Sequence, residues 1–290
     1  MNTQALLNNV ATINKDNGIF VNAKEFLKEL RQVATAVAKP SDHRPNLTFV
    51  HVRVTENNLI LEATDSHVLE RANVAASIPD ELVGKEFLID GKFAKNLSKT
   101  PTKYGKTLGV YPQFNDGKYK GIISIVGGGE EFIDNSRGNI SVFGYPDLVR
   151  VTPYISDATC KFEVKKKEIY PILSEMKKTL SDLRKDSRIV TDVINLKVTK
   201  DGRVVISYYG KGNDVTFEPK VDDAQILRTK EIYRHKPEYE VNFNLKFLMK
   251  QLRNCGNREQ LTFRLNGLLR PFTITRENGG LSLICPIRTF

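Results

Sequence analysis

The chain has 290 residues and carries 44 Lys and Arg against 34 Asp and Glu, a formal net charge of +10 at pH 7. Hydrophobic residues make up 40% and charged residues 27% of the sequence, a globular balance that excludes wholesale disorder. The length fits one large domain or two smaller ones. The charge favours a polyanionic partner, nucleic acid or an anionic membrane surface, and the alternative is that it only aids solubility.

The sequence contains no signal for a membrane or for secretion. No apolar run approaches the ~18 residues that a membrane helix needs, and the opening residues MNTQALLNNVATINKDNG lack the basic start and apolar core of a secretory signal. The three cysteines, Cys160, Cys255 and Cys285, are far apart and odd in number, which suits a reducing cytosol. We therefore expect a cytoplasmic protein without a membrane partner.

The first half predicts strand, helix, hairpin, strand and helix in that order. A strand at 20–21 leads into AKEFLKELRQVATAVA, where Asn22 is a plausible N-cap and apolar residues recur on one face. Alternating segments at 52–54 and 59–61, separated by an Asn-Asn pair, predict a hairpin. The segment FLIDGKFAKNL predicts a strand and then a second helix capped by Asp90.

The second half repeats this order about half a chain later. Its FEV at 162–164 leads into KKKEIYPILSEMKKTL, its hairpin turn carries Asp-Gly, and YEVNFNLKFLMKQL matches the strand and second helix of the first half. Each match is weak by itself, but three matches in the same order indicate an internal duplication.

Cationic residues form a stripe opposite the apolar stripe of three predicted helices, and the remaining helix carries two adjacent lysines. A solvated helix face is the usual explanation of one such stripe. Helices packed side by side on a sheet would merge the stripes into one basic surface that holds phosphates without reading bases. The residues are Lys24, Lys28, Arg31, Lys92, Lys95, Lys99, Lys177, Lys178, Lys246, Lys250 and Arg253.

Motifs for catalysis, metal binding and cofactor binding are missing from the sequence. There is no phosphate-binding or dinucleotide-binding glycine motif, and the glycines at 127–129 precede Glu130 and Glu131, so they predict a turn. The four histidines lack metal-ligand spacing. Asp65 has no obvious acid–base partner, and Cys285 lies in a predicted apolar strand at 281–285, where a small hydrophobe is expected. We expect no enzyme activity, no metal and no cofactor.

Four segments resemble one known family. ATDSHVLERA (63–72) resembles A-T-D-G-H-R-L-A of the bacterial DNA polymerase III beta subunit, the sliding clamp, and YPDLVRV (145–151) resembles its F-P-D-Y-R-R-V. VNFNLKFLMKQL (241–252) is similar to I-G-F-N-V-S-Y-V-L-D-V-L, and the terminal LICPIRTF is similar to V-V-M-P-M-R-L. The segments follow the family's order.

The resemblance implies the α+β DNA clamp fold, with two duplicated clamp domains that each have outer antiparallel sheets and two DNA-facing helices. Residues 1–18 would be an N-terminal extension, 19–146 the equivalent of the family's second domain, and 147–290 that of its third domain. Rings in this family contain six such domains, so a two-domain chain predicts a homotrimer closed by a heterologous interface.

The resemblance also implies a function and its partners. The chain would be a non-catalytic DNA polymerase sliding clamp, a processivity factor in DNA replication that encircles double-stranded DNA and docks polymerase and clamp loader through short peptides. The stripe residues would face the DNA, together with Arg44 in a loop. The location would be the bacterial cytoplasm, with a chromosomal, plasmid or phage origin left open.

A peptide-binding cleft is implied at the positions that match the family's cleft. Ser66 stands where the family has Gly, Val68 where it has Arg, and Cys285 where it has Met, so the preferred peptide is expected to differ. Without the resemblance the apolar members would be core residues, Asn244 a helix cap and Pro146 a linker residue. The cleft positions are Leu47, Thr64, Ser66, His67, Val68, Leu69, Pro146, Arg150, Val151, Asn244, Phe247, Leu283, Ile284, Cys285, Pro286, Ile287 and Arg288.

Two other functions are compatible with the sequence. The first is a clamp-like adaptor or decoy that binds clamp-interacting peptides without encircling DNA, an alternative suggested by the missing domain. The second is a simple basic protein that binds open-ended duplex DNA with a steep dependence on salt. The mass in solution separates the first alternative from a ring.

Overall fold

The computed structural model describes residues 18–40, 43–99, 103, 105–135, 144–186, 190–208, 214–227, 239–267 and 269–287. The chain divides into two compact units. The first consists of Met1–Ala63 and Ala72–Pro146, and the second of Thr64–Arg71 and Asp147–Phe290. The chain therefore changes unit after Pro146, and one short segment from its first half belongs to the second unit.

The first unit contains two helices and strands that pair antiparallel. Strand β2 lies between β3 and β5, and β1 lies between β4 and the meander β6-β7-β8. The two helices pack against each other. The elements are β1 (Ile19–Asn22), α1 (Ala23–Val33), β2 (Phe49–Val54), β3 (Asn58–Thr64), β4 (Val68–Ser77), β5 (Glu86–Asp90), α2 (Gly91–Leu97), β6 (Thr107–Asn115), β7 (Lys118–Gly127) and β8 (Glu130–Asp134).

The second unit uses the same kinds of element. Strand β10 lies between β11 and β14, β9 lies between β13 and the meander β15-β16-β17, and the two helices again pack together. The elements are β9 (Cys160–Lys165), α3 (Lys166–Asp186), β10 (Val193–Val198), β11 (Val204–Tyr208), β12 (Val215–Phe217), β13 (Asp223–Ile226), β14 (Tyr239–Asn244), α4 (Leu245–Leu252), β15 (Gln260–Leu265), β16 (Phe272–Arg276) and β17 (Leu281–Ile284).

The hydrogen-bonding scheme of the first unit recurs in the second. The strand set β2, β3, β5 corresponds to β10, β11, β14, and the set β1, β6, β7, β8 corresponds to β9, β15, β16, β17. Strand β4 pairs with both β3 and β1, whereas in the second unit β12 pairs with β11 and β13 pairs with β9. The single long strand β4 of the first unit thus corresponds to the two short strands β12 and β13 of the second. The predicted duplication is confirmed.

The predicted helix starts are confirmed at the level of individual hydrogen bonds. The side chain of Asn22 accepts from the backbone of Glu25 at 3.1 Å, and that of Asp90 accepts from the first turn of α2. The side chain of Asn244 accepts from the backbone of Lys246 at 2.9 Å. Short polar side chains satisfy amides that have no partner inside the helix, so the caps fix where each helix begins.

Hairpins and cores also follow from the sequence pattern. The predicted hairpins are β2-β3 and β10-β11, and Gly202 (φ +78°) supplies the left-handed backbone in the second turn. The glycines at 127–129 form the β7-β8 turn, as predicted. The inward faces of both units are fully buried, for example Phe26 on α1 and the stacked rings of Phe162 and Phe263. Within the described ranges, no helix is long and apolar enough to cross a membrane.

The helices differ from the prediction at their ends. Helix α1 ends at Val33 and continues only as a 3₁₀ turn over Ala34–Ala36, so it is shorter than the predicted segment. Helix α3 runs on to Asp186, beyond the predicted end at 180, and it tolerates the exposed Pro171 in its second turn. Its last turn is mainly polar, which is why hydrophobic periodicity did not detect it.

Candidate functional site

The cationic side chains of the first unit lie exposed on two neighbouring helices. Lys24, Lys28 and Arg31 project from α1, and the lysines of the second stripe project from α2 and from the residue after its last turn. Arg31 donates to the carbonyl of Ser98 at the end of α2, so its guanidinium bridges the two helices. The first unit therefore brings two of the predicted stripes together on one helix pair.

The helix pair of the second unit is cationic but partly neutralised. Lys177, Lys178, Lys246 and Arg253 are exposed, whereas Lys250 is half-buried. The Nζ atom of Lys246 lies 2.6 Å from the carboxylate of Asp192, to which Arg184 on α3 also donates. Partial burial acts to raise the pKa of Asp192, but the hydrogen bonds from Lys246 and Arg184 outweigh it and lower that pKa below its ordinary value.

The turn between β3 and β4 is built by its own side chains. The hydroxyl of Thr64 donates to the carbonyl of Val68 at 2.7 Å, and Oδ1 of Asp65 accepts from the amides of His67 and Val68 at 3.0 Å each. Ser66 has φ +77°, the left-handed region that favours glycine. The side-chain bonds hold a backbone that Ser adopts only with strain.

Helix α4 contacts this turn at two successive points. The ring of His67 stacks on that of Phe247, with centroids 5.5 Å apart and planes 18° apart. One turn further along α4, Nζ of Lys250 lies 3.7 Å from Oδ2 of Asp65. Residues three apart on a helix lie on one face, so a single face of α4 meets both side chains.

The segment from Leu281 to Ile287 also contacts this part of the chain. Strand β17 pairs with the start of β4, with Leu283 opposite Leu69 and Ile284 opposite Val68. The amide of Cys285 donates to the carbonyl of His67 at 2.9 Å. Two residues later, the amide of Ile287 donates to the carbonyl of Asn242 at 2.7 Å, which ties the segment to β14.

Burial divides the predicted cleft residues of the second unit into two groups. Val68, Leu69, Leu283 and Ile284 are at most 3% exposed, so these side chains are core in this conformation, and Thr64 is also buried. Asn244 caps α4, as the alternative had it. Ser66 and His67 are exposed, and Phe247, Cys285, Pro286 and Ile287 are half-buried, so these six form the accessible part.

The remaining predicted residues are not brought into this cluster by any contact described. Leu47 is buried in the first unit, where Pro146 is exposed. Arg150 and Val151 are exposed in the second unit, and Arg150 pairs with Asp147 at 3.1 Å. Arg44 is exposed before a 3₁₀ turn, and Arg288 lies outside the described residues.

Sequence reasoning missed the ionic contacts around the turn. The carboxylate of Asp65 contacts Lys250, an ion pair that the sequence pattern did not predict. Next to it, the fully buried carboxylate of Glu70 accepts from the guanidinium of Arg276 at 2.8 Å, and Arg276 also donates to Ser282 at 3.1 Å. Ion pairs between residues far apart in the chain leave no periodic signal, so only the fold reveals them.

The described ranges contain no cluster of three or more His, Cys, Asp or Glu side chains that could hold a metal ion. The three cysteines are free thiols. Burial raises the pKa of Cys160 and of Cys255 to about 12, and burial with the nearby carboxylate of Asp65 raises that of Cys285. A raised pKa keeps a thiol protonated, and a protonated thiol is a poor nucleophile.

Comparisons with known proteins give one consistent answer. No family model matches the chain. The beta sliding clamp of Staphylococcus aureus (strain Mu50) is 25% identical over 281 residues, covering 96% of this chain and 66% of the relative, and that of Staphylococcus epidermidis is 23% identical over 290 residues. The chain thus spans just under two thirds of the length of these relatives. The resemblance to beta sliding clamps is confirmed.

Solved structures give the same fold. The DNA polymerase sliding clamp from Bacillus subtilis superposes with a TM-score of 0.74 at 23% identity, covering 94% of this chain and 64% of that one. The DNA polymerase III beta subunit from Thermotoga maritima gives 0.72 at 19% identity, covering 93% and 65%. The predicted α+β class and DNA clamp fold are confirmed.

Proposed function

We propose that this chain, a relative of the bacterial beta sliding clamps, is itself a DNA polymerase sliding clamp and acts through the two clamp domains of these 290 residues. Residues 19–146 and 147–290 would be its clamp domains, after an N-terminal extension. The observation that carries the proposal is the duplicated strand scheme, in which each copy holds a packed pair of helices with exposed lysines. A non-catalytic role in replication in the bacterial cytoplasm follows.

The helix pairs would hold DNA through phosphates. Exposed lysine and arginine side chains on α1 and α2 can reach a phosphate by their flexible stems, and they make no demand on base sequence. Retention on DNA would come from encirclement, so charge need only be sufficient to keep the duplex inside the ring. The partial neutralisation of α4 by Asp192 and Asp65 agrees with a surface that slides.

Ring closure is supported by the internal repeat. Strand β17 pairs with the start of β4, and the repeat makes β8 the equivalent of β17 and β12 the equivalent of that part of β4. Within the described residues β8 pairs only with β7 and β12 only with β11, so each has an edge available for another chain. Pairing β8 of one chain with β12 of the next would build a ring of six domains from three chains.

Polymerase and clamp loader would dock through short peptides at the turn beside α4. The accessible surface consists of Ser66, His67, Phe247 and the segment Cys285 to Ile287. Each apolar peptide side chain buried there would contribute roughly 1.5–3 kcal/mol, and the polar edges would fix its direction. Leu47, Pro146, Arg150, Val151 and Arg288 stay predicted contributors.

Retention on closed DNA tests the proposal. After loading onto nicked circular DNA, the protein should remain bound through gel filtration and should be released when the circle is cut once, because a ring slides off a free end. Equal release from circular and linear DNA would contradict encirclement. Persistent tight binding to short linear duplexes, lost steeply with salt, would instead support a simple basic DNA-binding protein.

Charge reversal provides the matched variants. Replacing Lys28 and Lys95 with Glu should shorten retention on the circle, because both lysines project from the helix pair of the first unit. Replacing Lys118 and Lys200 with Glu changes the net charge equally at exposed positions outside the helices, the start of β7 and the β10-β11 turn, and retention should then resemble that of the wild type.

A further inference from the structure

One turn of chain contacts both of the surfaces that the proposed function uses. The carboxylate of Asp65 organises the turn through two amides with Oδ1 and contacts Lys250 with Oδ2. The adjacent His67 stacks on Phe247, and its carbonyl accepts from Cys285 in the accessible cleft segment. A predicted DNA-facing lysine is therefore one ionic contact away from the peptide site.

A competing anion can displace the carboxylate of Asp65 from Lys250. The charged atoms of the two residues are 3.7 Å apart, and the lysine side chain is 38% exposed, so the pair is long and reachable by solvent. Lys246 on the same helix is held differently, at 2.6 Å from Asp192. A DNA phosphodiester carries one charge and two free oxygens, as a carboxylate does, but a duplex presents many phosphates close together, so it competes best for the loosely held lysine.

Loss of this contact would act on the turn rather than on the helix. Ser66 keeps its left-handed backbone only because the turn is bonded from several sides. The Lys250 contact is one of those restraints, and the His67–Phe247 stack is another. When the first is removed, the turn and the stacked ring gain freedom, and the surface that a peptide must meet is less well ordered.

We propose that Lys250 couples DNA to peptide docking: a phosphate that draws Lys250 from Asp65 loosens the turn at 64–68 and weakens peptide binding. The inference rests on the proposed function. Lys250 acts as a positioning residue for the cleft, and by linkage a docked peptide weakens the hold on DNA by the same factor. The contact is partly exposed, so the expected coupling is modest, about threefold in dissociation constant.

Hydrogen exchange and peptide affinity, measured on the full chain, test the coupling. In Lys250→Met, amides at 64–70 should exchange about threefold faster than in the wild type. In Lys250→Arg the charge is kept and exchange should remain slow. In Lys246→Met a lysine is also removed from α4, which should weaken DNA binding but leave exchange at 64–70 unchanged.

The coupling itself is read with a short fluorescein-labelled peptide that ends in Leu-Phe. Its dissociation constant should rise about threefold when a blunt-ended duplex is added at low salt, and the duplex should have no such effect on Lys250→Met. Unchanged exchange in Lys250→Met, or an unchanged peptide constant in wild-type protein with duplex bound, would overturn the coupling alone. Failure of the duplex to bind at low salt, read by anisotropy, would also overturn the coupling, whereas the proposed function is judged separately by retention on circular DNA.

Discussion

A buried ion pair joins Glu70 to Arg276 near the turn between β3 and β4. Glu70 is fully buried and Arg276 is 5% exposed, and the guanidinium also donates to Ser282 and to the carbonyl of Arg71. The pair joins the segment Thr64–Arg71 to the meander of the second unit, so it fixes the strand from which the cleft turn projects.

Replacing Glu70 with Gln should lower the free energy of unfolding by about 3–5 kcal/mol, because it removes the carboxylate that contacts the buried guanidinium of Arg276. Urea unfolding followed by circular dichroism measures the change. The exposed Glu56, replaced by Gln in a turn, is the control and should shift stability by less than about 0.5 kcal/mol. The double replacement Glu70→Leu with Arg276→Met should recover most of the lost stability. Equal urea midpoints for Glu70→Gln and Glu56→Gln would contradict the stabilising role of the Glu70–Arg276 pair.

Hydrogen bonds between residues close in the chain could be predicted from the sequence, and ion pairs between residues far apart in the chain could not. The caps Asn22, Asp90 and Asn244 act on amides within three residues, so composition and position reveal them. Glu70 and Arg276 lie 206 residues apart, and no pattern along the chain connects them. The same reason explains why the contact between Asp65 and Lys250 was not predicted.

Helix α4 is held at both ends by side chains, and this matters because it carries Phe247 and Lys250. Asn244 caps its start. At its end the buried Lys166, the first residue of α3, donates to the carbonyls of Arg253 and Cys255 at 2.9 and 2.6 Å. A lysine at this position satisfies carbonyls that have no partner within the helix and complements the negative end of the helix dipole.

Replacing Lys166 with Met should lower the stability of the protein by about 1–3 kcal/mol, because two buried carbonyls lose a charged donor. The neighbouring Lys167 is exposed and pairs with Glu168 at 3.5 Å, so Lys167→Met should be nearly neutral. Urea midpoints compare the two variants, and amide exchange over Leu245–Leu252 should rise only in the first. If Lys166→Met leaves the urea midpoint unchanged, water replaces the lysine as the donor to these carbonyls.

At the scale of elements, hydrophobic periodicity predicted the central residues of the helices and the hairpins, but it did not predict to which unit each strand belongs. The stripe of α1 and the turns of β2-β3 and β10-β11 were evident because each is a repeat of a few residues. The passage of β4 through both units was not, since it depends on pairing with β17 more than 200 residues away. The predicted cleft positions therefore include four side chains that this pairing buries.

At the scale of the whole molecule, the duplication makes a prediction that neither unit makes alone. A fold that repeats itself within a chain can also repeat its internal strand pairing between chains. The pairing of β17 with β4 exists once in each chain, and its equivalents, β8 and β12, are the strands that the proposed ring would join. In the proposed ring of six domains, with two from each chain, there would be three chains.

The proposed homotrimer predicts a mass of three times 32.8 kDa by light scattering. Ile133, 40% exposed on β8, should lie in the interface, so Ile133→Lys should give a folded monomer, because a lysine on an edge strand opposes pairing with another chain. Val83 is similarly exposed, at 36%, but lies in a turn, and Val83→Lys should remain a trimer. Circular dichroism checks that both variants are folded. A wild-type monomer at working concentration would instead support the adaptor, and a trimer unaffected by Ile133→Lys would place the interface on another edge.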